Sequence, residues 1–123
     1  MQRYSREKYL SDDILQKLSI EEKYDDALDE INHAARRLAD AKITSTQLRN
    51  IYSYVKKTQS SNIRGMKRTR YLLAYLAGRE SKIRNFADNL MNIIKNIKSK
   101  EEAQIFQELM EALVAYHRYY GKE

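Results

Sequence analysis

No proline interrupts the 123 residues of this chain, and apolar side chains recur at intervals of three and four along almost its whole length. Proline breaks helices by removing an amide donor and clashing with the preceding turn. Without it, the chain can run as helix wherever its apolar spacing asks. Spacing near 3.6 collects apolar side chains on one helix face, and no window shows the period-two alternation of a strand. The expected fold is therefore all-α: a compact bundle of about five helices, with a short extra N-terminal helix, in one helical domain over residues 1–123. An apolar and aromatic share of 42% is too high for a disordered chain. Cysteine is absent, so no disulfide framework or thiolate metal site can form. No apolar run approaches the roughly 18 residues that cross a bilayer. Residues 1–6 lead towards Asp12 and Asp13 rather than into the apolar core of a signal peptide. The expected location is the cytoplasm, with no membrane partner.

Helix boundaries are marked by side chains that satisfy free backbone groups. A short helix is expected after Ser11, with Ile14, Leu15 and Leu18 on one side. Ser19 followed by Glu22 fits a capping box, in which serine accepts from the third helical amide and glutamate reaches back. The helix it opens turns Tyr24, Leu28, Ile31, Ala35 and Leu38 inward. Thr44 with Gln47 offers a second box, opening a helix with Leu48, Ile51, Tyr52 and Val55 inward. Ser60, Ser61 and Asn62 break it, and a third long helix runs to about Gly78 or beyond. Ile83, Phe86, Leu90, Ile93, Ile94 and Ile97 mark the next helix. These two could merge or exchange between copies around Gly78. Ser99 with Glu102 is a third box; its helix carries Phe106, Leu109, Met110, Leu113 and Val114. Gly121 ends it and is suited to a left-handed C-cap.

The formal charge of +6 hides a pattern. Residues 1–40 hold 7 Lys/Arg and 10 Asp/Glu, a balance of 7 − 10 = −3. Residues 41–100 hold 14 against Glu80 and Asp88 alone, or 14 − 2 = +12, and residues 101–123 return to 2 − 5 = −3. A basic middle between acidic ends favours a polyanionic partner. The alternative is a solvated surface neutralised by acidic ends that fold back. On a wheel of about 100° per residue, Lys67, Arg68, Tyr71, Tyr75 and Arg79 all fall within about 60° of Arg64. Met66, Leu73, Leu76 and Ala77 occupy the far side. Such a stripe suits a phosphate backbone, with cations neutralising phosphates and tyrosines stacking on bases. Alternatively, Tyr71 and Tyr75 edge the core with only their hydroxyls outward. Arg70 lies close to the apolar side, where it either pairs with a carboxylate such as Glu111 or reaches past a helix end. Arg49 and Lys56, seven residues apart, share a flank that extends the basic surface onto the preceding helix; Lys57 points elsewhere.

Catalytic chemistry finds no constellation. His33 lies opposite its helix's apolar stripe and is expected at the surface. His117 lies within its apolar stripe and is expected at the core edge with one nitrogen satisfied. No histidine pair has metal-ligand spacing. The adjacent carboxylates Asp12/Asp13 and Asp25/Asp26 point to different helix faces. The three glycines stand apart and build no phosphate loop. The expectation is a protein that is not an enzyme and needs no cofactor or metal.

Three segments carry a resemblance: residues 43–51, ITSTQLRNI; residues 70–80, RYLLAYLAGRE; and residues 110–122, MEALVAYHRYYGK. In sequence, order and separation they resemble the signature blocks of the small subunit of type III-A CRISPR effector (Csm) complexes, over the chain from about residue 40 onwards. One departure is Lys122, where a second glycine is common. The resemblance implies a noncatalytic, all-helical subunit of an antiviral defence complex, present in several copies and stacked as a minor filament beside the backbone subunits. Its implied partners are those backbone subunits, the large subunit, further copies of itself, and guide and target RNA, with a homodimer possible in isolation. Sequence would be read by base pairing, as in other guided effectors, and this subunit would touch backbone and shape. Arg49, Arg70 and Arg79 fall within the blocks; Lys56, Arg64, Lys67 and Arg68 come from helix geometry. All seven are candidate RNA contacts. Two other readings remain at this point: a free-standing basic helical DNA regulator, which needs a recognition helix and usually a dimer, and a protein-only scaffold docking an acidic partner.

Overall fold

The computed structural model describes residues 8–57 and 62–121. These residues form six α-helices and no strand: α1 (Ile14–Ser19), α2 (Tyr24–Asp40), α3 (Ser45–Lys57), α4 (Ile63–Arg79), α5 (Arg84–Lys95) and α6 (Lys100–Tyr120). Short 3-10 turns precede α2 at Glu21–Lys23 and α5 at Ser81–Ile83. The protein is an all-α bundle with a short first helix.

The apolar periodicity translates directly into burial. Ile31, Ala35 and Leu38 of α2 face Leu109, Met110 and Leu113 of α6 within one continuous core. Leu48, Ile51 and Val55 of α3 and Phe86, Leu90, Ile93 and Ile94 of α5 join it from other sides. Helix α6 is the hub, packing on α2 and α3 and touching α1 and α4, while α4 pairs with α5. Tyr24, Leu28, Tyr52 and Val114 are half-buried at the margin. Polar ties lock the same packing: the Tyr24 hydroxyl donates to Glu108 at 2.6 Å and the Tyr120 hydroxyl to Asn32 at 2.6 Å, both between α2 and α6.

The caps show which local signals the fold uses. At α3 the box forms in full: the Gln47 amide donates to Thr44 Oγ1 at 3.1 Å, and the Thr44 amide to Gln47 Oε1 at 2.9 Å. At α6 the Glu102 amide donates to Ser99 Oγ, but the Glu102 carboxylate accepts from Lys98 N, one residue beyond the expected amide. The box expected at Ser19 does not form. Ser19 is the last residue of α1, and its hydroxyl donates back to the Gln16 carbonyl at 2.8 Å. The chain enters α2 instead through the Glu21–Lys23 turn, with Lys23 at the N-cap. Asn62 caps α4 through its side chain, which accepts from the Gly65 amide; Ser60 and Ser61 lie outside the described residues.

One further expectation is corrected. Gly121 is extended (φ −79, ψ 154), not left-handed, because the Gly121 amide closes α6 onto the His117 carbonyl at 2.7 Å without a reversal. The left-handed residue is Lys42 (φ 69), which closes α2. Helix α4 ends at Arg79, in keeping with an end at about Gly78 or beyond: Glu80 N donates to Leu76 O, its own backbone turns extended-like, and the Ser81–Ile83 turn folds α5 back along α4. A turn this short gives an antiparallel helix hairpin, so the two helices are separate within one chain.

Candidate nucleic-acid interface

Helix α4 divides as its sequence predicts. Gly65, Met66, Thr69, Leu73 and Ala77 are buried, and Arg64, Arg68, Tyr71, Tyr75 and Arg79 are exposed. The tyrosines do not sit with only their hydroxyls outward. At 60% and 59% exposed, Tyr71 and Tyr75 present their rings, not only their hydroxyls, to solvent. Each ring is held by a neighbouring arginine. The Arg68 Nε donates to the Tyr71 hydroxyl at 3.0 Å with its guanidinium 5.9 Å from that ring, and the Arg79 guanidinium lies 5.8 Å from the Tyr75 ring. Cation and aromatic face are therefore presented side by side, in the arrangement that single-stranded nucleic acid uses for phosphate and base.

Lys67 stands differently. It is half-buried, and its Nζ donates to the Lys95 carbonyl at 2.9 Å. That carbonyl ends α5, where a cation complements the helix dipole. Lys67 thus ties α4 to α5, and the wheel could not anticipate this because it carries no information about the neighbouring helix. Arg70 is exposed and makes no ion pair with Glu111, itself exposed. The open alternative of a buried pair is resolved in favour of a solvent-facing cation.

On α3, Arg49 and Lys56 are both exposed. Lys56 leans over the Tyr52 ring at 5.7 Å. Arg49 lines a small hollow of about 190 Å³ together with Arg118 of α6. Arg118 adds a cation outside the seven candidates; its signal in the sequence was its place beside His117 in residues 110–122, one helical step from the apolar stripe. The α3 and α4 surfaces are latched at one end, where Gln47 Nε2 donates to Glu80 Oε1 at 2.9 Å.

None of the seven candidate cations makes an ion pair with a described residue; the ion pairs among those residues all lie between residues 8 and 30. His33 is exposed, whereas His117 is 2% exposed with Nε2 on the Ile43 carbonyl at 2.8 Å. Among the described residues no group of three His, Asp or Glu is placed to hold a metal ion, and no helix is long and apolar enough to cross a membrane.

A family model described as Csm2 Type III-A matches residues 21–123. Comparison with curated proteins and with solved structures returns no match.

Proposed function

The chain belongs to the Csm2 type III-A family, structural subunits of the type III-A CRISPR effector complex, and from that premise we propose that its α4 stripe and adjoining α3 flank follow the RNA backbone in that complex. The observation that carries this reading is the pairing of exposed Tyr71 and Tyr75 with Arg68 and Arg79, free of any carboxylate partner among the described residues. Arg64, Arg70, Arg49 and Lys56 widen the surface, while Lys67 contributes through its place at the edge of α5. The subunit works without catalysis, as one of several copies stacked into a minor filament beside the backbone subunits in the cytoplasm. Guide–target pairing reads the sequence; this surface supplies charge and stacking.

The test is target-RNA affinity of the assembled complex across a salt series, with Arg49, Arg64, Arg68 and Arg79 reversed to glutamate. For each phosphate left without its cation, the slope of log affinity against log salt should fall by about 0.7–0.9. Affinity and slope equal to those of the unaltered complex would refute RNA contact, and intact assembly with unchanged RNA binding would favour a protein-only scaffold.

A further inference from the structure

Where α3 lies against α6, Leu48, Val114 and Ala115 form the apolar wall of the hollow of about 190 Å³ that Arg49 and Arg118 border. Leu48 is buried, Val114 half-buried and Ala115 exposed, so the hollow runs from solvent towards the core. His117, also in the wall, keeps its Nε2 on the Ile43 carbonyl at 2.8 Å, and that nitrogen is not offered to an occupant. One water takes about 30 Å³, and pockets for whole small ligands begin near about 300 Å³. The hollow therefore has room for a single planar ring.

Its rim carries charge of one sign. Arg49 comes from α3 and Arg118 from α6; both are exposed, and neither makes an ion pair or hydrogen bond with a described residue. Glu111, about two turns before Arg118 on α6, is exposed and pairs with no described cation. Two guanidiniums at one hollow repel each other, so folding gains nothing from the pair, whereas a cleft lined by one sign of charge draws a counter-ion. A guanidinium takes phosphate oxygens with a two-donor fork. Further along this flank of α3, Lys56 Nζ lies 5.7 Å from the half-buried Tyr52 ring, which sets a cation and an aromatic face side by side again. A ring-sized apolar hollow between two phosphate-binding forks matches a nucleotide, with its flat base inside and its phosphates at the rim.

We propose that this hollow seats one unpaired base of an RNA strand, with the phosphates on either side of it held by Arg49 and Arg118. A base paired and stacked in a duplex cannot enter, so the site selects single-stranded RNA. The proposal rests on the RNA contact argued above and adds a base-holding contact on the α3–α6 side. Arg49 is the residue the two share, and none of the others lies on α4.

The test follows the Leu48, Val114 and Ala115 methyl resonances of the full chain during titration with a short oligoadenylate, because the ring current of a seated base shifts the methyls it lies against. Saturable shifts are expected with the single strand, and none with an abasic oligomer of the same length or with the oligoadenylate annealed to oligouridylate. Arg118→Gln should weaken the binding read at these methyls by about tenfold, the loss of one charge-assisted hydrogen bond. Ala115→Leu, which fills the hollow from its exposed side, should remove the shifts while the salt slope of overall binding is kept. Equal shifts with the abasic oligomer or the duplex, or unchanged affinity in both variants, would overturn the site. Shifts that grow with protein concentration in the absence of RNA would assign the hollow to a second copy and overturn it as well. Reversing Arg64, Arg68 and Arg79 should lower overall affinity and leave the shifts at saturation unchanged. Absence of any methyl shift overturns the hollow whatever the salt series on the assembled complex shows for α4, so the two readings fail separately.

Discussion

The N-terminal region and α4 use their cationic side chains in opposite ways. Between residues 8 and 30, lysines are joined to carboxylates: Lys8 to Asp12 at 2.8 Å, and Lys17 to Glu30 at 2.9 Å with Asp13 nearby at 3.7 Å. Glu30 also accepts the Ser11 amide at 2.6 Å, so one carboxylate fastens the start of the chain to α2. On α4 the cations meet aromatic rings and a backbone carbonyl, with no carboxylate partner among the described residues. The first arrangement holds the fold together. The second leaves charge available to a partner. What separates them is the company each side chain keeps, lysines among carboxylates in the first and mainly arginines beside tyrosines in the second.

That contrast can be broken by substitution, beginning where the structural role is strongest. Asn89 of α5 is buried and exchanges two hydrogen bonds with Leu10, accepting from its amide at 2.8 Å and donating to its carbonyl at 3.0 Å. Asn89→Ala orphans both backbone groups of the buried Leu10. It should lower unfolding free energy by about 2–4 kcal/mol in urea titrations. A loss below about 0.5 kcal/mol would mean the N-terminal segment is not docked as described.

A smaller loss, about 1–2 kcal/mol, is expected for Glu30→Ala, because its pair with Lys17 is only partly buried. This effect has a pH signature. The hydrogen bond to Glu30 raises the Lys17 pKa above its ordinary value of 10.5. The stabilisation is therefore complete below that value and is lost as pH rises through the higher folded one. The gap between the unaltered protein and Glu30→Ala should be constant at neutral pH and narrow above about pH 10.5, leaving the share that Glu30 contributes through the Ser11 amide. Tyr24 adds a loss of the same sign in both proteins, since its hydrogen bond to the Glu108 carboxylate raises its pKa.

The smallest change in stability belongs to the stripe. Arg64→Glu with Arg68→Glu should alter unfolding free energy by no more than about 0.5 kcal/mol, while RNA binding by the assembled complex falls. Lys67→Glu sharpens the distinction within α4 itself. Placing a carboxylate against the α5 C-terminal carbonyl should cost about 1 kcal/mol, so Lys67 should behave as a structural cation and Arg68 as a binding one.

Much of this was legible in the chain. The absence of proline and the period of the apolar residues determined helix number and inward faces, and they did so because both are local properties repeated every turn. The −3, +12, −3 charge pattern and the exposed α4 stripe followed from the same geometry. Signals confined to three or four residues also held where no neighbour competed, as at Thr44 and Gln47.

Only the tertiary structure decided the competitions. Ser19 could cap the next helix or close its own, and in the folded chain its hydroxyl goes to Gln16. Lys67 could serve solvent or α5, and the hairpin brought the Lys95 carbonyl within 2.9 Å. Lys42 and Ser45 around the α2–α3 connection, Lys82 before α5 and His117 of α6 come from three separate segments and line one hollow only in the packed bundle. Local periodicity determines which face a residue occupies. The group it meets there depends on which distant element the core has drawn alongside.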